Sequence, residues 1–168
     1  MIRPRHSLLG YLPPREAALA TEFFGAFALA EYSLKTLGYI RQGREDAQAD
    51  WSTYARTIQK GFREAAPRQF ERAWEALTQH PPRKQVSVAG RLAWKDTPRP
   101  AGMSDAAWGL LLVRRIRNNL FHGAKFTLGG SDQFRRDRDL ISAALAVLDH
   151  AMRLARPVAR RTRSNTAA

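Results

Sequence analysis

The residues with the clearest chemical potential lie in the run RRIRNNLFHGAK, residues 114–125, where Arg117 and Asn118 shortly precede His122. An imidazole has an unperturbed pKa of about 6.5, so His122 can accept or donate a proton near neutral pH. A guanidinium pairs with phosphate through a planar fork of donors, and an amide adds a neutral donor. The run therefore combines proton transfer with phosphate recognition.

This combination predicts cleavage of an RNA phosphodiester without a metal ion. In that reaction His122 activates the 2′-hydroxyl as base or gives a proton to the leaving oxygen as acid, Arg117 stabilises the more negative phosphorane, and Asn118 positions the phosphate. DNA lacks the 2′-hydroxyl and does not react in this way. The chain has no cysteine, and its acidic residues are too sparse for a metal site, so we expect no metal and no cofactor.

The bare spacing of an arginine and a histidine is a weak signal in a chain this rich in arginine. Three features around His122 strengthen it: the asparagine after Arg117, the glycine directly after the histidine, and the position at the end of a predicted helix. The other histidines, His6, His80 and His150, have no arginine at the corresponding offsets. The context, rather than the spacing, makes this segment the candidate site.

The hexapeptide RNNLFH, residues 117–122, resembles the Arg-Asn-x-x-x-His signature of HEPN domains, small all-α modules with many ribonuclease members. The segments FALAEYSLKTLGY, residues 27–39, and PPRKQVSVAGRLAW, residues 81–94, resemble the stand-alone bacterial, Apea-like members. The resemblance covers nearly the whole chain apart from its two ends. It implies a HEPN-type endoribonuclease hydrolase in toxin-like growth arrest or antiviral defence, and it matches Glu31 and Lys35 to polar positions of that subgroup.

One departure concerns regulation. In HEPN toxins silenced by a nucleotidyltransferase antitoxin, the resemblance calls for a tyrosine two residues after the histidine, where this chain has Ala124. We therefore expect no modification-based antitoxin, although a neighbour-encoded regulator stays open.

Helix geometry constrains how the motif can work. At about 100° per residue, Asn118 and His122 share a face, whereas Arg117 points about 140° away from His122. Either the helix unwinds near Phe121, or a second copy completes the site across a two-fold axis. The resemblance implies the second arrangement, and we expect a homodimer.

The second-tier candidates are Glu31, Lys35, Arg114 and Asn119. Each has a structural alternative: Glu31 and Lys35 are spaced as an ordinary surface pair, and the arginines can form a solvated face at a helix C-terminus. Asn118 and Asn119 can close the helix end. Glu31 also borders an aromatic face, so it can instead be partly buried and reach an arginine of the third predicted helix.

Composition indicates a single intracellular domain. The 168 residues are 44% hydrophobic, and 28 basic against 15 acidic residues give a net charge of +13. Such a charge attracts polyanions, which makes RNA the expected partner, with a solvated basic surface as the alternative. No apolar run suits a membrane span or a secretory leader, so we expect a cytoplasmic protein. We predict an extension over 1–15, a domain over 16–155 and a basic, disordered tail over 156–168.

Hydrophobic periodicity predicts an all-α, HEPN-like up-and-down four-helix bundle with a long loop between helices two and three. The first helix runs from Glu16 to about Leu37, and Asp50 caps a second that includes Phe62 and bends or breaks at Pro67. The loop, residues 81–100, is ordered, with room for a small hairpin.

We expect Leu92 and Trp94 to hold this loop against the body. All four tryptophans are expected in the core, with base stacking as the minor alternative. Ser104 and Asp132 are predicted N-caps of the third and fourth helices, and Gly123 closes the third.

A competing hypothesis from another class is a catalytically silent HEPN-like module that binds RNA, nucleotide or a protein. A third is a dimeric scaffold or an antitoxin-like partner. Cleavage of RNA separates the first hypothesis from both.

Overall fold

The computed structural model describes residues 14–64, 66–121 and 131–158. These residues form five helices and one two-stranded antiparallel sheet. In chain order the elements are α1 (Pro14–Thr36), α2 (Trp51–Ile58), α3 (Arg68–Gln79), β1 (Lys84–Val88), β2 (Arg91–Lys95), α4 (Asp105–Phe121) and α5 (Ser131–Arg153). The expectation of a mostly helical protein is confirmed. No described helix combines the length and hydropathy needed to span a bilayer.

Helix α1 ends where the sequence predicts, because Gly38 adopts a φ of +93° that favours glycine. The N–H groups of Gly38 and Tyr39 donate to the carbonyls of Lys35 and Leu34, which is the paired hydrogen-bond pattern of a Schellman cap. The free carbonyl of Leu37 accepts from the N–H of Val158, at 2.9 Å. The start of the predicted tail, residues 156–158, thus lies against the end of α1. The rest of the tail and residues 1–13 lie outside the described residues.

The second predicted helix is two helices. Asp50 caps α2 as expected, and its carboxylate accepts from the N–H of Thr53 at 3.0 Å. The helix ends at Ile58, so Phe62 is buried in the connection rather than on the helix. Pro67 is the N-cap of α3, with an extended ψ of 150°. Proline has no backbone N–H to donate inside a helix, so the preceding helix does not continue through it.

One apolar core joins the helices. Helix α5 packs against α1, α3 and α4, and α2 packs against α4. Gly109 marks the close approach of α4 to the aromatic part of the core, since an added Cβ would lie 3.0 Å from the Trp74 ring and 3.1 Å from the Phe62 ring. The backbone of α4 is thus fixed in the middle of the core, and its last turns carry the candidate residues.

The predicted hairpin is present. Strands β1 and β2 pair in antiparallel register, and Ala89 and Gly90, both with positive φ, form the two-residue turn between them. The expectation that Leu92 and Trp94 pin the segment is wrong, because Leu92 is 78% exposed and Trp94 is 38% exposed. A two-stranded sheet buries neither of its faces by itself, and here neither large side chain reaches the core.

Helix α4 begins with the predicted cap, in which the Ser104 Oγ accepts from the N–H of Ala107 at 3.3 Å. Helix α5 includes Asp132 in its first turn, so that residue is not the N-cap that the sequence predicted. The boundary moved because several polar residues and glycines near this start give equivalent signals. Gly123 and Ala124 lie outside the described residues.

Candidate functional site

The site is built on the antiparallel packing of α1 and α4. The rings of Phe24 and Phe121 meet edge to face with centroids 6.5 Å apart. One turn back along α4, the Arg117 guanidinium carbon lies 5.0 Å from the Phe27 ring centroid. These two contacts bring the last turns of α4 against the middle of α1, where the candidate residues of both helices meet.

Arg117 is held in a defined position. Its guanidinium lies over the Phe27 ring, an attraction between a cation and the negative face of an aromatic ring. Its Nη1 donates to the Oδ1 of Asn118 at 2.9 Å, and the Asn118 side chain is exposed. The long side chain of Arg117 therefore reaches toward the Asn118 side of the helix, although the Cα to Cβ directions of the two residues differ.

This position bears on the helical geometry predicted from the sequence. The 140° between Arg117 and His122 describes directions at the backbone, and the reach of an arginine can offset part of such a separation. His122 itself lies outside the described residues.

Glu31 is fixed by α2. Its Oε1 accepts from the indole N–H of Trp51 at 3.2 Å, and the Trp51 ring stacks on Phe27 with centroids 5.3 Å apart. Trp51 is the first residue of α2 and follows the capping Asp50, so the cap of one helix helps to position a carboxylate of another.

Arg114 faces this carboxylate. Burial lowers the pKa of the Arg114 guanidinium, and the nearby Glu31 carboxylate opposes that effect. The charges of Arg117 and Arg41 lower the same pKa further. The prediction that Glu31 is partly buried is thus confirmed, whereas among the described residues no hydrogen bond or ion pair joins its carboxylate to Arg114. We call Arg41, Arg114 and Arg117 the arginine cluster.

The arginine cluster carries three positive charges against the single carboxylate of Glu31. Such a local excess of positive charge beside low-dielectric walls attracts anions, above all phosphate groups. Chemically, the arrangement can bind a phosphodiester and stabilise additional negative charge on it.

Sequence reasoning missed Arg41. This residue follows α1 and lies at the start of a loop over residues 41–48, where its N–H donates to the Gln48 carbonyl at 2.9 Å. An isolated pairing of Ile40 with Ala49 closes the same loop. The only sequence signal is Gly43, which marks a turn but does not indicate what the turn brings together.

Phe27 and Trp51 were expected in the core, and both are buried. Their additional role is to support the Arg117 guanidinium and the Glu31 carboxylate. The sequence did not indicate this role, because each contact joins residues of two different helices: Phe27 with Arg117, and Trp51 with Glu31.

Among the described residues, neither Asn119 nor Lys35 has a hydrogen bond or ion pair with the arginine cluster or with Glu31. Asn119 is only 6% exposed, and its Nδ2 donates to the Arg83 carbonyl at 2.8 Å, on the side of α4 that faces the hairpin. Lys35 is half-buried in the last turn of α1, and among the described residues its ammonium forms no ion pair or hydrogen bond, with Glu31 or otherwise. Both positions favour a structural role over contact with a substrate.

No protein-family model, curated protein or solved structure matches this chain. The likeness to HEPN domains therefore depends on the residues quoted for it, and membership of that family stays a prediction.

Proposed function

We propose that the protein is a metal-independent endoribonuclease of the HEPN type. The observation that carries the proposal is the hydrogen bond from Arg117 of the arginine cluster to Asn118, the residues five and four positions before His122. A cation and an amide that already share a hydrogen bond can bind adjacent oxygens of one phosphate with little reorganisation.

In the proposed reaction the 2′-oxygen of a ribose forms a bond to the adjacent phosphorus while the bond to the 5′-oxygen breaks. His122 takes the proton of the 2′-hydroxyl as base or gives a proton to the leaving 5′-oxygen as acid. Arg117 stabilises the phosphorane, Asn118 orients a non-bridging oxygen, and Arg114 adds positive charge. The products are a 2′,3′-cyclic phosphate and a 5′-hydroxyl.

The proposal includes the assembly and the setting. The five helices would form the HEPN bundle, with α2 and α3 together in the place of its second helix. Two copies would pair so that both motifs face one cleft, and RNA would be cleaved in the cytoplasm during defence or growth arrest under a neighbour-encoded regulator. Analytical ultracentrifugation at micromolar concentration is expected to show a dimer, and a monomer alone would contradict the paired site.

The test of the activity is incubation of the purified protein with total RNA in excess chelator, followed by mapping of the cleaved ends. We expect new 2′,3′-cyclic phosphate ends that are absent with Arg117→Ala and His122→Ala protein. Cleavage that needs a divalent ion, or cleavage that both variants retain, would show that this site is not responsible.

One observation favours a second candidate, a catalytically silent RNA-binding module. Arg117 already contacts the Phe27 ring and the Asn118 amide, so its charge can serve recognition without chemistry. A salt-dependent gel shift with no cleaved product after hours would support this candidate over the nuclease.

A further inference from the structure

The hairpin formed by β1 and β2 carries unbalanced positive charge. Residues 81–95 contain no acidic residue, and Arg83 pairs outside this run with Asp96 at 3.0 Å. The register places Lys84 directly opposite Lys95, and Arg91 lies beside the turn. Two like charges at opposing positions of a sheet destabilise the pair, and a bound anion would relieve that repulsion.

The same hairpin exposes a large apolar surface. Leu92 and Trp94 are two residues apart on β2 and therefore share one face. The register puts Ser87 opposite Leu92 and Gln85 opposite Trp94, so polar groups border the exposed indole. Trp94 stands apart from Trp51 and Trp108, which are buried in the core. The exposed part of the Trp94 indole, beside hydrogen-bonding side chains, is suited to stack on a nucleobase.

Two side chains of α4 hold the base of the hairpin. Arg115 donates from Nη1 to the Pro82 carbonyl at 3.1 Å, and Asn119 donates from Nδ2 to the Arg83 carbonyl at 2.8 Å. These donors lie in the same last turns of α4 as Arg117. A chain bound along the hairpin therefore has a short path to the arginine cluster on the neighbouring side of that helix.

We propose that the hairpin is a binding arm for single-stranded RNA, with a base stacked on Trp94 and phosphates held by Lys84, Lys95 and Arg91. Paired strands lie only about 4.8 Å apart, so long cationic side chains on one face of a two-stranded ribbon can reach a chain bound on the other. Cleavage of the bound RNA rests on the proposed function, and the hairpin is the element that would hold this RNA.

Single-stranded RNA fits the hairpin better than a duplex does. A duplex keeps its bases stacked on each other, so an exposed indole gains nothing from it beyond phosphate attraction. An unpaired base has a free ring face, which can stack on the exposed part of Trp94. Binding should therefore depend on both the indole and the cations.

The test is fluorescence anisotropy of a labelled, mixed-sequence single-stranded oligoribonucleotide, with chelator present and His122→Ala in every protein to prevent cleavage. Trp94→Ala is expected to weaken binding about 5- to 100-fold, the usual range for loss of one stacked base, while Trp94→Phe keeps most of the affinity. Tyr32→Ala, which removes a 63% exposed aromatic ring from α1, serves as the matched control and should bind normally.

The cations are tested by salt dependence. For single strands each phosphate contact contributes about 0.7 to the slope of log affinity against log salt, so Lys84→Gln with Lys95→Gln should make the slope shallower by about 1.4. Lys60→Gln, an exposed lysine beyond α2, should leave the slope unchanged. Circular dichroism checks that each variant folds. As a second measurement on the folded His122→Ala protein, RNA should quench tryptophan emission, and Trp94→Phe should remove that quenching.

Equal affinities for Trp94→Ala and its parent, with no quenching assigned to Trp94, would overturn the inference even if the protein cleaves RNA. Binding that does not depend on Trp94 and is equally tight for duplex and single-stranded RNA would also contradict the inference, and would show that the hairpin attracts RNA only through its positive charge. Binding that depends on Trp94 in a protein that never cleaves RNA would uphold the arm and contradict the nuclease. The two proposals can thus fail separately.

Discussion

Helix α4 contains two arginine–asparagine pairs, and the second pair is one residue further along the chain than the first. Arg114 lies near Glu31 of α1 and Asn118 is exposed, whereas Arg115 and Asn119 face the hairpin, and each pair has the same spacing of four residues. Arg115 and Asn119 both donate to backbone carbonyls. Arg114 instead faces a carboxylate and two other arginines, and Asn118 is exposed with Arg117 bound to it.

The difference shows that partners, rather than residue type or spacing, decide what a side chain can do. Arg115 and Asn119 each commit a donor to a backbone carbonyl at the base of the hairpin, and these hydrogen bonds hold the hairpin against α4. A cation with more positive than negative neighbours is stabilised by an added anion. We therefore assign structure to the hairpin side of α4 and phosphate chemistry to the α1 side.

The largest effect expected is on catalysis. His122→Ala should slow RNA cleavage by about 10²- to 10⁴-fold through loss of proton transfer, and Arg117→Ala by about 10²- to 10³-fold through loss of charge stabilisation. The measurement is a single-turnover rate in chelator on an oligoribonucleotide.

Arg115→Ala provides the matched control, because it removes an arginine of the same helix from the opposite side. At saturating RNA its rate per folded molecule should stay close to that of the parent protein, because Arg115 holds the hairpin and therefore affects RNA binding rather than the chemical step. A loss equal to that of Arg117→Ala would contradict the division between the two sides of α4.

The next effect concerns stability. Asn119→Ala should lower the free energy of unfolding by about 1–3 kcal/mol, because it leaves the Arg83 carbonyl without its donor and opens a buried site. Asn118→Ala should change that free energy by less than about 0.5 kcal/mol, since the side chain is exposed. Urea unfolding measures both. A larger loss of unfolding free energy for Asn118→Ala than for Asn119→Ala would contradict the structural role assigned to Asn119.

Glu31 tests the charge balance of the arginine cluster. Glu31→Ala should cost about 1–2 kcal/mol of unfolding free energy, through the lost hydrogen bond from Trp51 and the lost counter-charge. Glu31→Gln keeps an acceptor for Trp51 and should retain part of that stability. The remaining loss should shrink as salt screens the arginines from each other. Identical, salt-independent losses would mean that Glu31 acts only as a hydrogen-bond acceptor.

The smallest effect is expected at Lys35. Because its ammonium contacts no charged group of the described chain, Lys35→Ala should change the unfolding free energy by less than about 0.5 kcal/mol and leave cleavage unaltered. A marked loss of cleavage would move Lys35 into the site.

Local signals in the sequence predicted local structure well. Gly38 ends α1, Asp50 and Ser104 cap their helices, and the segment after Pro81 contains the hairpin, because each of these features depends on a few neighbouring residues. Pro67 indicated either a bend or a break in the second predicted helix. The structure has a break, in which Phe62 is buried in the connection between α2 and α3.

Contacts between distant segments were predicted less well. Arg41 adds positive charge near Arg114 from a loop that no spacing rule describes, and Trp94 is exposed although tryptophans are usually buried. Of the predicted site, Glu31, Arg114, Arg117 and Asn118 come together, while Asn119 turns to the hairpin. One residue of offset on a helix rotates a side chain by about 100°, and sequence alone does not say which neighbour lies in that direction.

The most direct test of the account uses the substrate rather than the protein. Once a cleavage position is mapped on an oligoribonucleotide, the single nucleotide before it is replaced by its 2′-deoxy form, and cleavage is measured in chelator. The account predicts that cleavage at that position disappears while cleavage elsewhere continues, because the 2′-oxygen is the nucleophile that Arg117 and His122 serve. Undiminished cleavage at the deoxy position would contradict it.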